Sequence, residues 1–209
     1  MKKKIIISLV ILLALSLVGV AIFVFVSQNK SPSYIKMDTN VEDWLKITKV
    51  CEYDGKLAIV VQNTSEMDIE YASLTAKNKN ESLSFEISVL LSGTETMLLC
   101  NENAKFDSKA IYTAWKTQNV VHFEKAPVMN DEKIEVSLIN GSISIRNVSD
   151  KDITSDILIY YKEKIDGILN GSVTHRVSTS GLKSGAQTYI KINGINPDTY
   201  QIMFIEYDK

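Results

Sequence analysis

The sequence predicts an N-terminal transmembrane helix followed by an all-β exterior built as two tandem β-sandwich modules. Three observations predict it: residues 5–26 form an uncharged apolar run, short β-favouring runs fill the chain from Trp44 onward, and one pattern recurs in both halves. The 209 residues are 45% hydrophobic and 23% charged, an ordinary globular composition that excludes wholesale disorder. A net charge of −2 argues against a nucleic-acid-binding protein, which would carry a basic excess.

The N-terminal segment is the first element. Residues 5–26 carry no charge, and as a helix they would extend about 33 Å, enough to cross a hydrocarbon core. Three consecutive lysines precede this run, so the positive-inside rule keeps residues 1–4 in the cytoplasm and places the rest of the chain outside. A cleaved signal peptide is the alternative, but the run exceeds the usual apolar core of such peptides, and five more apolar residues follow its small-residue triplet Gly19–Ala21. We therefore expect an uncleaved, single-pass anchor.

The exterior part divides into a spacer and two modules. Residues 27–43 are polar and are expected to separate the modules from the membrane. Residues 44–127 and 128–209 each contain short runs rich in Val, Ile, Tyr, Phe and Thr, many of which alternate apolar with polar residues; this is typical of β-sandwiches or barrels. Residues 151–169 also fit an amphipathic helix, although their β-branched residues favour a strand.

An internal repeat supports the division into two modules. The segment DGKLAIVVQNTSEMDI in the first half resembles NGSISIRNVSDKDI in the second, and LSGTETMLL resembles KSGAQTYIK. The blocks keep the same order in both halves, which favours two copies of one β module of about 85 residues. The matched pairs are Asn63 with Asn147, Ser65 with Ser149, Asp68 with Asp152 and Ile69 with Ile153 at an offset of 84 residues, and Gly93 with Gly185 and Thr96 with Thr188 at an offset of 92.

The two cysteines, Cys51 and Cys100, both fall in the first module. Outside the membrane a disulfide between them is chemically permitted. The alternative is a pair of buried free thiols that act as small hydrophobic residues. In either case we expect a structural role, because a catalytic thiol would need a partner histidine and a polarised setting.

No set of residues in the sequence converges on catalysis or metal binding. His122 and His175 are the only histidines, they fall in different modules, and no His or Cys spacing typical of a metal site occurs. The chain also lacks a nucleophile elbow, a phosphate loop and a dinucleotide fingerprint. The acidic pairs Glu66–Asp68 and Asp150–Asp152 recur at one turn of each module, where turn chemistry explains them better than calcium does. We expect no catalytic residue, no metal site and no cofactor.

The second module carries a further pattern: an Asn-x-Ser triplet before a turn, an aromatic residue near a strand end, a turn glycine and a later Leu-x-x-Gly. The residues that carry it are Asn147, Ser149, Tyr160, Gly167, Leu182 and Gly185. This pattern resembles the FxLYD-type domains of bacterial surface proteins, although the strand here reads ILIYYK and lacks the aspartate after the tyrosine. The resemblance implies an Ig-like extracellular sandwich without catalytic residues. The high Lys, Ile and Asn content likewise suggests a bacterial gene.

The function expected from these features is non-enzymatic. We expect a bitopic membrane protein whose extracytoplasmic region binds another envelope or membrane protein, through a sheet face or an exposed edge strand. The alternative is a surface module that binds glycan, cell-wall polymer or a small ligand. That alternative predicts a cluster of exposed aromatic residues involving Trp44, Tyr112 and Trp115. An enzyme would instead gather buried ionisable groups in a cleft.

Overall fold

The computed structural model describes residues 34–79, 81–128 and 131–208. Within these ranges the chain is all-β, as the sequence predicts, and its strands form three sheets. The predicted membrane segment 5–26 and the stub 1–4 lie outside these ranges, and no helix within them is long and apolar enough to span a membrane. Strand rather than helix is confirmed for the ambiguous segment 151–169, because Ile157–Ile165 and Ile168–Asn170 are both strands.

The described residues contain fourteen strands. In chain order they are β1 (Tyr34–Glu42), β2 (Leu45–Tyr53), β3 (Lys56–Asn63), β4 (Ile69–Asn78), β5 (Glu81–Leu90), β6 (Glu95–Leu99), β7 (Tyr112–His122), β8 (Ile134–Ile139), β9 (Ser142–Asn147), β10 (Ile157–Ile165), β11 (Ile168–Asn170), β12 (His175–Thr179), β13 (Gln187–Lys191) and β14 (Tyr200–Glu206).

The strands of residues 44–127 form a β-sandwich-like pair of sheets. One sheet contains β2-β3-β6 and the other is β5-β4-β7. The apolar core between them includes Leu74, Phe85 and Ile87, none of which is exposed to solvent. Strand β3 reads LAIVV, and all five of these residues are buried, so this strand is covered on both faces.

The strands of residues 128–209 repeat the same arrangement. Strands β8-β9-β13 form one sheet, and β12-β10-β14 are joined in the same order as β5-β4-β7. Ile143, Ile145 and Ile159 are completely buried between these layers. Strand β9 reads SISIRN, and only its alternate isoleucines enter the core, so one face of this strand remains polar.

The repeated turn is identical in its hydrogen bonding. Nδ2 of Asn63 donates to the carbonyls of Met67 and Leu90, at 2.8 and 3.2 Å. In the second half Nδ2 of Asn147 donates to the corresponding carbonyls of residues 151 and 182, at 2.8 and 3.0 Å. Oδ1 of each asparagine accepts the N–H and Oγ–H of the serine two residues later. Both asparagines are completely buried, so the conserved pattern within the chain serves the fold.

Residues 34–42 of the predicted spacer form strand β1, which pairs antiparallel with β2. The alternation in YIKMDTNVE explains this, because Ile35, Met37 and Val41 lie on one face of the strand and pack against the core of the first half. The exposed residues alternate with them, so a segment that is polar on average still makes an amphipathic strand.

One sheet continues through both halves of the chain. Strand β11 pairs in parallel with β6, and this pairing joins β1-β2-β3-β6 to β11-β10-β12 in an eight-stranded sheet, with β14 also paired to β10. The repeat offset rises from 84 to 92 residues between the two matched blocks, so the second half contains eight additional residues there. They fall within residues 162–174, which extend beyond the β10–β12 pairing and which we call the docking hairpin.

Candidate functional site

The docking hairpin covers the outer face of the first half's sheet. Leu169 pairs with Thr96, Asn170 pairs with Met97, and Oγ1 of Thr96 donates to the carbonyl of Leu169 at 2.7 Å. Ile165, beside the turn at the tip of the hairpin, packs in a buried cluster with residues of β2, β3 and β6. The first-half members of that cluster are Cys51, Ala58, Val60 and Met97.

Gly171 allows the hairpin to approach β6 closely. Its N–H donates to the carbonyl of Met97 at 2.6 Å, and its carbonyl accepts the N–H of Ser88 at 2.8 Å. A Cβ atom at this position would lie 2.5 Å from Cδ2 of Leu98 and 2.6 Å from Oγ1 and Cγ2 of Thr96. A glycine is therefore required here for close packing, since φ at this residue is not in the left-handed region.

Lys162 is a completely buried cation at the same junction. Its Nζ donates to the carbonyl of Ser88 and, at 3.3 Å, to that of Gly171. The salt bridges among the described residues do not involve it. Burial without a carboxylate lowers the pKa of Lys162 to about 7. Sequence reasoning missed this residue; the available signal was its place after ILIYY, on the face of β10 that also carries Tyr160.

In the second half the corresponding sheet has no such cover from the residues that the structure describes. Strand β6 has β3 on one side and β11 on the other, whereas the equivalent strand β13 has only β9 among the described residues. Likewise β2 lies between β1 and β3, whereas β8 has only β9. We call β8, β9 and β13 the uncovered sheet.

The outer face of the uncovered sheet is polar and rich in serine. Tyr189 is 55% exposed and lies opposite Ser144, which is itself buried by its neighbours. Nε2 of Gln187 donates to Oγ of Ser144 at 2.7 Å. Arg146 lies between Gln187 on β13 and Glu135 on β8. The remaining residues of this face are Ser137, Ile139, Ser142 and Lys191.

A disulfide between Cys51 and Cys100, one of the two alternatives left open by the sequence, is not formed: both residues are buried free thiols. Cys51 pairs with Ala58, which in turn pairs with Leu99, so Cys51 and Leu99 are about 10 Å apart at two strand spacings. Cys100 is the next residue, and its side chain joins the core of the first half on the opposite face of the sheet from Cys51. A disulfide needs Cα atoms within about 7 Å and side chains directed toward each other.

Burial raises the pKa of both thiols. The pKa of Cys51 is raised, and that of Cys100 is raised to about 11 by burial and by the hydrogen bond that its Sγ donates to Glu102 at 3.1 Å. Both groups are therefore protonated at neutral pH and are poor nucleophiles.

The two histidines are placed separately, as their sequence positions suggest. His175 on β12 stacks on Tyr161 with ring centroids 5.2 Å apart, and His122 ends β7. Across residues 34–79, 81–128 and 131–208, no group of three His, Cys, Asp or Glu side chains is close enough to hold a metal ion.

The aromatic residues proposed for ligand binding lie in the first core or pack against it. Tyr112 is 7% exposed, and the half-buried Trp44 and Trp115 pack against the first core. The ring of Trp115 lies 6.2 Å from that of Phe85 and 6.4 Å from that of Tyr112. These three residues therefore do not form an exposed cluster.

Asp68 and Asp152 in the repeated turn accept hydrogen bonds from backbone N–H groups. Oδ1 of Asp68 accepts the N–H of Ser92 at 2.8 Å, and Oδ1 of Asp152 accepts the N–H of Ser184 at 2.9 Å. The hydrogen bond from Ser184 holds the pKa of Asp152 below its usual range, and Lys183 assists. A polar cleft of about 480 Å³ lies beside the second turn. Its lining includes Lys133, Asp150, Lys151, Asp152, Tyr207 and Asp208.

No protein-family model matches the chain, and no curated protein matches it. The repeat within the chain makes the first half a reference for the second.

Proposed function

We propose that this chain is a non-enzymatic, bitopic protein of the bacterial cell membrane. Residues 5–26 are its uncleaved anchor, residues 1–4 are cytoplasmic, and two tandem Ig-like β-sandwich modules stand in the extracytoplasmic space. These modules bind another envelope or membrane protein. The uncharged run after three lysines supports the anchor and its orientation.

The uncovered sheet is the observation that carries the binding function. In the first half, the equivalent sheet is covered by protein at both edges and on its outer face, by β1 and by the docking hairpin. In the second half, the same strands leave two edges and one face free among the described residues. Open sheet edges are readily extended by a strand from another chain, and proteins without a use for them usually block them.

The chemistry of this face indicates a polar contact. Arg146 and Lys191 offer positive charge, Glu135 offers negative charge, and the serines between them offer hydroxyl donors and acceptors. Tyr189 adds an exposed ring with a polar tip, a residue type that is enriched at protein interfaces. We therefore infer a partner that is hydrogen-bonded and reversible, rather than an obligate subunit with an apolar interface.

The test is crosslinking in intact cells of the full chain with a tag after Lys209, followed by mass spectrometry of the membrane extract. We expect a stoichiometric envelope or membrane protein to be captured. Capture should fall several-fold in Ser137→Arg, which places a bulky charge on the face, and should persist in Ser82→Arg, a matched exposed serine on β5 of the first half. Recovery of only self-crosslinks and envelope polymer would overturn the proposal.

The same extract tests the anchor. The intact mass of the recovered chain should include residues 1–26, because we expect no cleavage after the apolar run. A mass that begins after this run would refute the anchor while leaving the capture experiment unaffected.

The second candidate is a surface module that binds glycan, cell-wall polymer or a small ligand. The cleft of about 480 Å³ beside the second turn favours it, because charged and hydroxyl groups line the cleft. Binding of soluble cell-wall fragments that is lost in Asp150→Ala, and kept in the matched first-half variant Glu66→Ala, would support this candidate.

A further inference from the structure

We propose that two copies of this chain associate through strand β13, which pairs antiparallel with β13 of the second copy about Tyr189. This inference goes beyond the proposed function, because it concerns one edge of the uncovered sheet and a partner whose sequence is known. The outer face and the β8 edge are left to the envelope partner.

The backbone groups of β13 that do not bond to β9 point toward its open edge. The N–H of Asn147 donates to the carbonyl of Ala186 at 2.9 Å, and the N–H of Ile192 donates to that of Gly141 at 3.0 Å. Hydrogen-bonded pairs alternate along an antiparallel ladder, so the even-numbered residues of this stretch bond to β9. The N–H and carbonyl groups of Gln187, Tyr189 and Lys191 therefore point away from β9, toward the open edge.

The open edge of β13 is regular. The pairing of β13 with β9 runs without a register shift, and the strand contains no proline. Two other edge strands are irregular: β1 has two register shifts, and β7 has three, with left-handed residues at Ala114 and Asn119. Bulges and proline are two of the usual protections of an edge strand, and β13 has neither; its short length and the charge of Lys191 are the protections that it does have.

The equivalent edge in the first half already accepts another strand. In the first half, the edge of β6 equivalent to that of β13 is occupied by β11. Met97, which corresponds to Tyr189, accepts the N–H of Gly171 through its outward carbonyl. The docking hairpin of a second copy does not fit the β13 edge, because Ile165 and Ile168 would then lie on serines rather than on an apolar face.

Strand β13 is complementary to a second copy of itself when the pairing is centred on Tyr189. With Tyr189 opposite Tyr189 of the second copy, Gln187 lies opposite Lys191, and the three outward residues exchange six backbone hydrogen bonds. No like charges face each other in this register, and the two exposed tyrosines become a cross-strand aromatic pair. A register centred on Lys191 would place two lysines opposite each other, and one centred on Gln187 would leave Lys191 outside the pairing.

The contact is closed and small. A twofold axis at Tyr189 uses the same edge in both copies, so pairing ends at a dimer and does not propagate. A strand of five residues buries less than about 800 Å² in total, which is below the size of a stable interface in solution. Confinement of both copies to one membrane would raise their effective concentration, so the dimer should be tested there.

The experiment is oxidative crosslinking of full-length cysteine variants in native membranes. Residues directly opposite in a hydrogen-bonded pair have Cα atoms about 5.5 Å apart, within reach of a disulfide. We expect Tyr189→Cys to form a disulfide-linked dimer at least fivefold more than Val121→Cys, a comparably exposed residue on the edge strand β7. The unsubstituted chain is the background control, because Cys51 and Cys100 are buried with raised pKa values.

A register test separates this dimer from chance collision. Two Gln187 residues would be about 14 Å apart across the pair, whereas Gln187 and Lys191 would be directly opposite. Gln187→Cys coexpressed with Lys191→Cys should therefore crosslink strongly, and Gln187→Cys alone should not. Equal crosslinking in both cases, or a Tyr189→Cys dimer no stronger than that of Val121→Cys, would overturn the proposal.

A proline variant tests strand addition at β13, and Ser137→Arg separates self-association from the proposed function. Tyr189→Pro removes an outward N–H that makes no bond within its own sheet, so it blocks strand addition and spares the ladder to β9. We expect this variant to lose self-crosslinking, and Ser137→Arg, on the opposite edge strand β8, to keep it. Loss of partner capture with Ser137→Arg, while the Tyr189→Cys dimer persists, would show that the two contacts are independent.

Discussion

Lys162→Met tests whether a buried amine sets the pH dependence of stability. Methionine is similar in length and has no charge to bury. Both carbonyls that lose the Nζ donor keep another one: Ser88 retains Oγ1–H of Thr174 at 2.9 Å, and Gly171 retains the N–H of Ser88 at 2.8 Å. The substitution therefore removes a desolvated cation without leaving an unpaired carbonyl.

The magnitude follows from the pKa of about 7 in the folded chain against an ordinary value of 10.5. Between these values the unfolded chain binds one more proton than the folded chain, so the free energy of unfolding rises with pH. Each pH unit is worth about 1.4 kcal/mol when the folded amine is fully deprotonated, so the wild-type chain should gain about 3 kcal/mol between pH 6 and pH 9. Above pH 9 the raised pKa of Cys100 acts with the opposite sign, which sets the upper limit of the window.

The assay is urea unfolding of the full chain in a non-ionic detergent at pH 6, 7, 8 and 9. Trp44 and Trp115 both pack against the first core, so their fluorescence follows the first half, and circular dichroism follows the whole chain. Lys164→Met on the same strand is the matched control, because Lys164 is only half-buried. We expect Lys162→Met to lose the rise with pH and to exceed wild type most at pH 6.

Parallel pH profiles for wild type and Lys162→Met would refute this reasoning. So would a Lys162→Met chain that is less stable than wild type at pH 6, because the lysine would then stabilise the junction in its charged form. Loss of the rise in Lys164→Met as well would show that the effect belongs to the charge of the strand in general.

Three further substitutions or treatments test the junction, the repeated turn and the thiols. Gly171→Ala should lower the free energy of unfolding by about 2 kcal/mol through overpacking against β6, whereas Gly167→Ala, with open space around its Cβ position, should cost only the strain of its positive φ; urea midpoints compare them. Asn147→Ala should cost about 3 kcal/mol, because two carbonyls lose their donor and the serine loses its acceptor, and a loss under 1 kcal/mol would contradict this. Cys51 and Cys100 should react with a thiol reagent only at the rate of unfolding, and rapid labelling of the native chain would disprove their burial.

Local patterns were sufficient to predict the strands. The all-β class, the strand assignment of 151–169 and the shared turn of Asn63 and Asn147 all follow from residue alternation and from side chains that bond to their own backbone. The polar average of residues 27–43 concealed β1, because alternation and not mean polarity decides whether a strand can bury one face. Local patterns also did not decide whether Cys51 and Cys100 are bonded, because this depends on which face of a sheet each cysteine occupies.

The sequence by itself determined where strands and turns occur, because these depend on neighbours within a few residues. The increase of the repeat offset from 84 to 92 residues also indicates the eight additional residues of the docking hairpin. Only the tertiary structure decided that these eight residues add a strand to β6, that Lys162 is enclosed by the resulting junction, and that β13 keeps an open edge. Strand pairing between distant segments satisfies backbone groups that every residue carries, so side-chain identity along the chain does not specify which strands become neighbours.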